Sequence, residues 1–269
     1  MFFKDIIGQE EVKKRFILEV KEGRVPHAQL LCGPEGSGKL PLAIAYARYL
    51  CCTNRGEEEA CGTCPSCIKF NKLAHPDLHF VFPVIKKKND AVSDDYIKEW
   101  RNLLLTTPYF NLNHWLAEMG AENQQAMIYE KESSEILRKL TLKSSEGGYK
   151  IMIIWLPEKM NITCANKLLK LLEEPPSQTV LLLVSEAPDM ILPTILSRTQ
   201  RINIHKIKED EIAHALEGKF GLRPEDATSI AHISGGNYVK ALETIHLSED
   251  NKLFLELCIS LMRLSYQRK

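Results

Sequence analysis

The chain has 269 residues, of which 44% are hydrophobic and 26% charged, and its 35 Lys and Arg balance its 35 Asp and Glu. A length well above about 150 residues predicts more than one domain. The zero net charge argues against a protein that binds nucleic acid through overall basicity. No apolar run approaches the roughly 20 residues of a membrane span, and the N-terminus lacks the apolar core of a signal peptide, so we expect a cytoplasmic protein without membrane contact.

The N-terminal part predicts one strand between two helices. Residues 11–22 have the pattern of an amphipathic helix, and HAQLLCG (27–33) has that of a short apolar strand. KLPLAIAYARYLCC (39–52) predicts a helix whose early proline costs no intrahelical hydrogen bond. Residues 80–130 give no confident order of elements; we interpret 84–95 as an exposed loop and 95–105 as a short helix.

Further strands follow towards the C-terminus. YKIMIIWL (149–156) and TVLLLVSEAP (179–188) are apolar runs typical of strands buried on both faces, and INIHKI (202–207) is a shorter candidate. Between the first two, the helix NITCANKLLKLLEEPP must end before its two prolines. This alternation predicts a parallel sheet with helices on both faces. After Lys206 the pattern predicts three short helices separated by glycine, and then one more amphipathic helix.

A candidate phosphate-binding loop follows the first strand. Residues 33–39, GPEGSGK, fit the pattern G-x-x-x-x-G-K between a strand and a helix. The glycines Gly33, Gly36 and Gly38 would let backbone N–H groups wrap phosphates, and Lys39 would reach the terminal phosphates. The plainer alternative is a glycine-rich turn that only begins a helix.

The metal-binding parts of such a site are missing from the sequence. Leu40 stands where a Ser or Thr would bind Mg²⁺, and Trp155 stands where a later strand would end in Asp. Hydrolysis depends on positioning and charge stabilisation, so we expect no turnover. Glu158 remains an alternative general base, and the sequence leaves open whether nucleotide binds at Lys39.

The cysteines predict a structural metal site. Cys52, Cys61, Cys64 and Cys67 form two overlapping C-x-x-C units with a fourth thiol upstream, a set that suits tetrahedral Zn²⁺. A redox dithiol and an unmetallated cluster are the alternatives. Cys51 competes with Cys52 as the first ligand. A module of about 17 residues cannot build its own core, so metal binding would supply its folding energy.

Together these motifs resemble a known family. The segments DIIGQEEVKKRF and HAQLLCGPEGSGK, the four inserted cysteines, AHPDL (74–78), NKLLKLLEEPP (166–176) and ILSRTQR (195–201) are similar to the bacterial clamp-loader subunits of DNA polymerase III, a branch of the AAA+ ATPases. The resemblance covers most of residues 5–80 and 145–245. It implies an α/β AAA+ P-loop domain at 1–206 with a zinc module at 51–67, a helical lid domain at 207–246, and the start of a truncated helical collar domain at 247–269.

Within that family, the lost metal motifs resemble the non-hydrolysing δ′ type. The resemblance implies that Arg198, in Ser197-Arg198-Thr199, acts as an arginine finger in trans on ATP bound by a neighbouring motor subunit. Thr199 departs from the family's usual cysteine. The implied partners are the γ/τ-type motor subunits, the δ subunit, the sliding clamp and primer–template DNA. An active motor ATPase and a stand-alone zinc protein that binds DNA are the rival hypotheses.

Overall fold

The computed structural model describes residues 1–86 and 91–245, and it separates into two compact units, Met1–Lys206 and Ile207 onwards. The predicted start of a collar domain at 247–269 lies outside the described residues. No helix among the described residues is long and apolar enough to cross a membrane.

The described part of the first unit contains eight α-helices, four of which lie in segments where the sequence pattern predicts a helix. Their bounds are α1 Glu10–Lys21, α2 Lys39–Cys51, α3 Pro65–Asn71, α4 Ile97–Thr106, α5 Leu112–Glu118, α6 Glu130–Thr141, α7 Ile162–Glu173 and α8 Pro193–Leu196. The α7 helix begins where the Asn161 side chain accepts a hydrogen bond from the Cys164 N–H, 2.7 Å away. It ends before Pro175, as predicted from the exclusion of αR backbone ahead of proline.

The strands form one large sheet and one small one. Their bounds are β1 Ala28–Cys32, β2 Leu78–Val81, β3 Val84–Ile85, β4 Ala126–Met127, β5 Lys150–Trp155, β6 Thr179–Ser185 and β7 Gln200–Asn203. The large sheet has the order β2-β5-β6-β1-β7 and all its pairs are parallel. This confirms the predicted α/β class. Parallel strands end at the same edge of a sheet. The carboxyl ends of β1, β5 and β6, with the residues that follow them, therefore lie close together.

Each face of the large sheet carries its own hydrophobic core. Along β5, Ile151, Ile153 and Trp155 pack in the core that contains α2, whereas Met152 and Ile154 pack in the core that contains α7. This alternation is the period of two expected for a strand. Helices therefore cover both faces, as predicted.

The β7 strand begins two residues before its predicted start at 202. Gln200 and Arg201 are exposed, and of the four strand residues Ile202 alone is buried. An edge strand with a solvated face lacks the continuous apolar run by which buried strands are recognised.

The 80–130 region has more order than the sequence suggested. Its predicted loop contains the β3 strand, which pairs antiparallel with β4. The partner strand lies about forty residues further along, so local pattern could not reveal the pairing. The described part of this region also carries buried aromatic side chains on and around α4 and α5: Tyr96, Trp100, Tyr109, Phe110 and Trp115.

The second unit is helical in its described part. It contains α9, Glu209–Phe220, and α10, Pro224–Ser234, followed by helical residues 238–245. Gly221 and Gly235 end α9 and α10 with left-handed backbone, at φ of 64° and 60°. Glycine tolerates this conformation without steric cost, which explains why each helix stops at the glycine that the sequence predicted.

Candidate functional site

The phosphate-loop motif lies at the carboxyl edge of the large sheet. Gly33 follows β1, and its N–H donates to the Ser185 carbonyl at the end of β6, 3.3 Å away. A Cβ added at Gly33 would stand 2.3 Å from the carbonyl oxygen of Ile204. A glycine is therefore required here, because the chain after β7 packs directly against the loop.

The loop has the backbone shape that its glycines predict. Gly36 and Gly38 adopt left-handed φ values of 70° and 83°, and Gly38 leads directly into α2. Backbone of this kind is costly for other residues and allows successive N–H groups to face one side. The strand, the loop and the helix all lie where a P-loop requires them. This arrangement favours the P-loop interpretation over a glycine-rich turn that only begins a helix.

Lys39 is engaged within the protein. Its side chain is 4% exposed, its ammonium group donates to the Pro34 carbonyl, and it lies 3.8 Å from Glu186 Oε1 and 3.4 Å from Ser37 Oγ. Burial lowers the pKa of Lys39, with Glu186 opposing that effect. Burial also raises the pKa of Glu186 to about 7. The loop lysine therefore already faces a carboxyl group that the chain itself supplies.

The two positions that lack metal-binding groups are filled with apolar side chains. Leu40 is 5% exposed and belongs to the core around α2. Trp155 is 2% exposed, and its ring centroid lies 5.2 Å from that of Trp100 and 5.3 Å from that of Phe110. Neither side chain offers an oxygen to Mg²⁺, and the aromatic packing leaves Trp155 little freedom to move.

Glu158, the alternative base, has another role in this structure. Its Oε1 atom accepts hydrogen bonds from the N–H groups of Glu186 and Ala187, at 2.9 and 3.1 Å. Its other carboxylate oxygen, Oε2, is buried from solvent. This geometry ties Glu158 to the loop that carries Glu186 and makes it a poor candidate for activating water.

The four predicted zinc ligands come together. The sulfur atoms of Cys52, Cys61, Cys64 and Cys67 lie within 4.8 Å of one another. Cys52 and Cys64 are 3.9 Å apart, and Cys61 and Cys67 are 4.0 Å apart. A tetrahedral site with Zn–S bonds of about 2.3 Å places its sulfurs about 3.8 Å apart. The donor set and its spacing therefore fit one Zn²⁺ ion in a closed site.

Backbone N–H groups also prepare these sulfurs for a metal. The N–H of Cys64 donates to Cys61 Sγ at 3.3 Å, and the N–H of Cys61 donates to Cys52 Sγ at 3.3 Å. Hydrogen bonds from Cys64 and Thr63 lower the pKa of Cys61. Cys51, the competing ligand, directs its thiol to the Tyr149 carbonyl instead, at 3.7 Å.

A buried arginine that the sequence analysis missed connects the cysteine module to α2. Arg48 is 1% exposed and donates to the Cys67 carbonyl at 3.2 Å and to Asn71 Oδ1 at 2.6 Å. Its guanidinium also stacks on Phe2, 3.7 Å from the ring centroid. The sequence signal for this contact is an arginine in an otherwise apolar helix, and its partners become visible only in the fold.

Arg198 lies at the surface just after α8. Its side chain is 34% exposed, and Glu173 Oε1 at the end of α7 accepts from its Nε and Nη2 atoms at 2.9 and 2.5 Å. The Thr194 carbonyl accepts from its Nη1 atom at 2.9 Å. Arg198 is thus partly exposed to solvent, and its guanidinium is held by a carboxylate of the same chain.

The parallel sheet with a phosphate loop between β1 and α2 defines a P-loop α/β protein with an inserted four-cysteine module. The family model described as "DNA polymerase III, delta subunit" matches residues 8–208. The chain belongs to this family, which confirms the resemblance to the DNA polymerase III subunits inferred from its motifs.

Relatives with two kinds of names resemble this chain. It is 33% identical over 172 residues to "DNA polymerase III subunit delta'" of Pseudomonas aeruginosa, covering 64% of this chain and 41% of the relative. It is 28% identical to the Bacillus subtilis protein of that name, covering 87% and 58% respectively. It is also 26% identical to "DNA polymerase III subunit tau" of Bacillus subtilis, covering 78% and 30%. The chain therefore spans about half the length, or less, of these curated relatives.

Proposed function

We propose that this chain is a non-hydrolysing δ′-type subunit of a DNA polymerase III clamp loader, an accessory role in DNA replication. The observation that carries the proposal is the filled metal site: Leu40 and Trp155 are buried in apolar cores where a motor would hold Mg²⁺. The lysine of the phosphate loop, Lys39, donates to the Pro34 carbonyl and pairs with Glu186. Without metal or a free lysine, phosphoryl transfer lacks the charge stabilisation on which it depends.

The proposed contribution of the chain is an arginine donated to a neighbour. Arg198 lies at an exposed edge, and its pair with Glu173 is half-exposed. Exposed ion pairs are worth about 0–1 kcal/mol, so the guanidinium can exchange this carboxylate for a phosphate group at little cost. An arginine supplied in trans stabilises the charge that develops on a transferring phosphoryl group. In this proposal the neighbour is a γ/τ-type motor subunit with bound ATP.

The remaining partners follow from the same proposal. With the δ subunit and the motors, the chain would help to open a sliding clamp and place it on primer–template DNA. The cysteine module would hold structural Zn²⁺ through Cys52, Cys61, Cys64 and Cys67, where the metal ties the segment after α2 into one piece. No open ligand position is needed for that role, because four thiolates complete a tetrahedral shell.

The test measures ATP hydrolysis by motor subunits assembled with this chain, a sliding clamp and primed DNA. We expect Arg198→Ala to lower the rate at least about tenfold, since trans arginines contribute about 10³–10⁵ in related reactions. Arg201→Ala is the matched control, because Arg201 is a nearby exposed arginine whose Nε atom donates to Asn203 of its own strand. Sizing chromatography checks that every complex assembles. An unchanged rate with Arg198→Ala would remove the arginine from the reaction.

The tau-type relatives make an active motor the main rival. An active motor predicts Mg²⁺-dependent ATP hydrolysis by this chain alone, which Lys39→Ala would abolish. We expect no such activity above background. Hydrolysis by the isolated chain that depends on Lys39 would refute the δ′-type proposal directly.

A further inference from the structure

A short segment of the 80–130 region covers the phosphate loop. Tyr109 lies in the connection between α4 and α5, and its ring would stand 3.2 Å from a Cβ added at Gly38. The ring therefore packs directly on the loop at the glycine that opens α2. Tyr109 is 7% exposed, so this contact is buried within the protein.

The hydroxyl group of the same tyrosine reaches a second element. The Ile7 N–H, in the segment before α1, donates to the Tyr109 hydroxyl at 3.0 Å. Gln9, in that same segment, donates from Nε2 to the Ser37 carbonyl of the loop at 3.2 Å. Tyr109 thus bridges the loop and the segment before α1, and Gln9 joins the same two elements.

The residues beside Tyr109 complete the covering. Asn111 donates from Nδ2 to Glu35 Oε1 of the loop at 3.4 Å. Phe110 packs against Trp155, the residue that replaces the metal-binding carboxylate. Tyr109 and Asn111 therefore contact the loop, and Phe110 between them contacts the end of β5.

The loop is closed from inside as well. Ser37, Gly38 and Lys39, whose amides and ammonium group would have to meet a phosphate, are all buried. Glu186 places a carboxylate 3.8 Å from the Lys39 ammonium. A phosphate entering here would have to displace that carboxyl group and would be repelled by its ionised form.

We propose that residues 109–111 are an internal ligand of the phosphate loop, which brace it in its phosphate-binding shape in place of nucleotide. Residues 109–111 stabilise the loop through buried aromatic contacts and hydrogen bonds. These contacts take the place of the stabilisation that a bound ligand gives to a native state. Nucleotide is then neither needed for the loop to fold nor able to add contacts to it. This inference deepens the proposed non-hydrolysing role. It rests on that proposal only in assuming that the chain does not hydrolyse nucleotide.

The test follows hydrogen exchange of the loop amides in the full chain, with and without MgADP, in three variants. Tyr109→Ala removes the ring, Tyr109→Phe removes only the hydroxyl group, and Tyr96→Ala is the matched control. Tyr96 is about as buried and lies in the same 80–130 region, with its ring centroid 6.4 Å from that of Trp115. It is therefore expected to lower overall stability without a selective effect on the loop.

We expect Tyr109→Ala to raise exchange in residues 33–39 at least about tenfold relative to Tyr96→Ala, because local opening is governed by local contacts. Tyr109→Phe should raise it by a smaller factor, and this variant decides the question if the alanine variant does not fold. MgADP up to about 1 mM should neither protect these amides nor raise the melting temperature of the wild-type chain.

Two results would overturn the inference. One is a wild-type loop that MgADP protects and stabilises, since the site would then accept nucleotide despite the covering. The other is equal loop exchange in the Tyr109 and Tyr96 variants, since the tyrosine would then be ordinary core. Either result leaves the role of Arg198 untouched, because that arginine is proposed to act on ATP held by another subunit.

Discussion

Restoring the missing carboxylate at Trp155 is expected to destabilise the protein strongly and not to create an ATPase. Trp155 is 2% exposed and packs between Trp100 and Phe110. Truncating a buried tryptophan costs about 3–5 kcal/mol. A carboxylate in this apolar setting adds the penalty of an unpaired buried polar group, roughly 1–3 kcal/mol even after it becomes protonated.

The two costs together reach at least about 4 kcal/mol, against a total stability of about 5–15 kcal/mol for a typical domain. We therefore expect Trp155→Asp to lose a large share of the free energy of unfolding, and the double variant with Leu40→Thr to be no more stable. Urea unfolding followed by far-UV circular dichroism measures the loss, and a coupled assay measures MgATP hydrolysis. Trp155→Phe is the control, because it keeps an aromatic ring between the same neighbours and should cost less than half as much.

A Trp155→Asp variant within about 1 kcal/mol of the wild type would refute this reasoning. It would mean that the aromatic cluster accommodates a carboxyl group at low cost, and that a metal-binding group can be restored at this position. Hydrolysis by the double variant would go further, since it would place this chain one or two substitutions from a motor.

Two further predictions concern the cysteine module and a buried acid. Cys64→Ser should lose the metal while Cys51→Ser keeps about one Zn²⁺ per chain by elemental analysis, because only the former belongs to the four-sulfur group; equal loss from both would contradict the assignment. Burial raises the pKa of Glu132 to about 7, although the Ser93 N–H donates to it at 2.7 Å. The native state therefore holds a proton that the unfolded chain releases, so this group's stabilisation is complete below about pH 4.5 and is lost as pH rises through 7. Between pH 5 and 8, Glu132 should contribute roughly 1–3 kcal/mol to the loss of stability measured by urea unfolding, and Glu132→Gln should remove that share while Glu186 keeps its own. An identical pH slope in that variant would show that other groups cause the loss.

The sequence alone located the features that depend on neighbours along the chain. The phosphate loop is recognised from glycines that allow left-handed backbone at Gly36 and Gly38, and the sheet from short apolar runs. The cysteine spacing indicated a four-thiol metal site, because a tetrahedral site needs turns of fixed length, and it left Cys51 and Cys52 as alternatives for the first ligand. The absence of metal-binding groups at Leu40 and Trp155 was equally legible, since identity alone decides whether a side chain can bind Mg²⁺.

The tertiary structure decided every contact between residues far apart in sequence. It directed the Cys51 thiol to the Tyr149 carbonyl, paired Lys39 with Glu186, and paired Arg198 with Glu173. It also brought Tyr109 onto the phosphate loop, about 70 residues away along the chain. Residue pattern reports the period of an element and the face it buries, whereas strand order and the path of connections decide which buried faces meet.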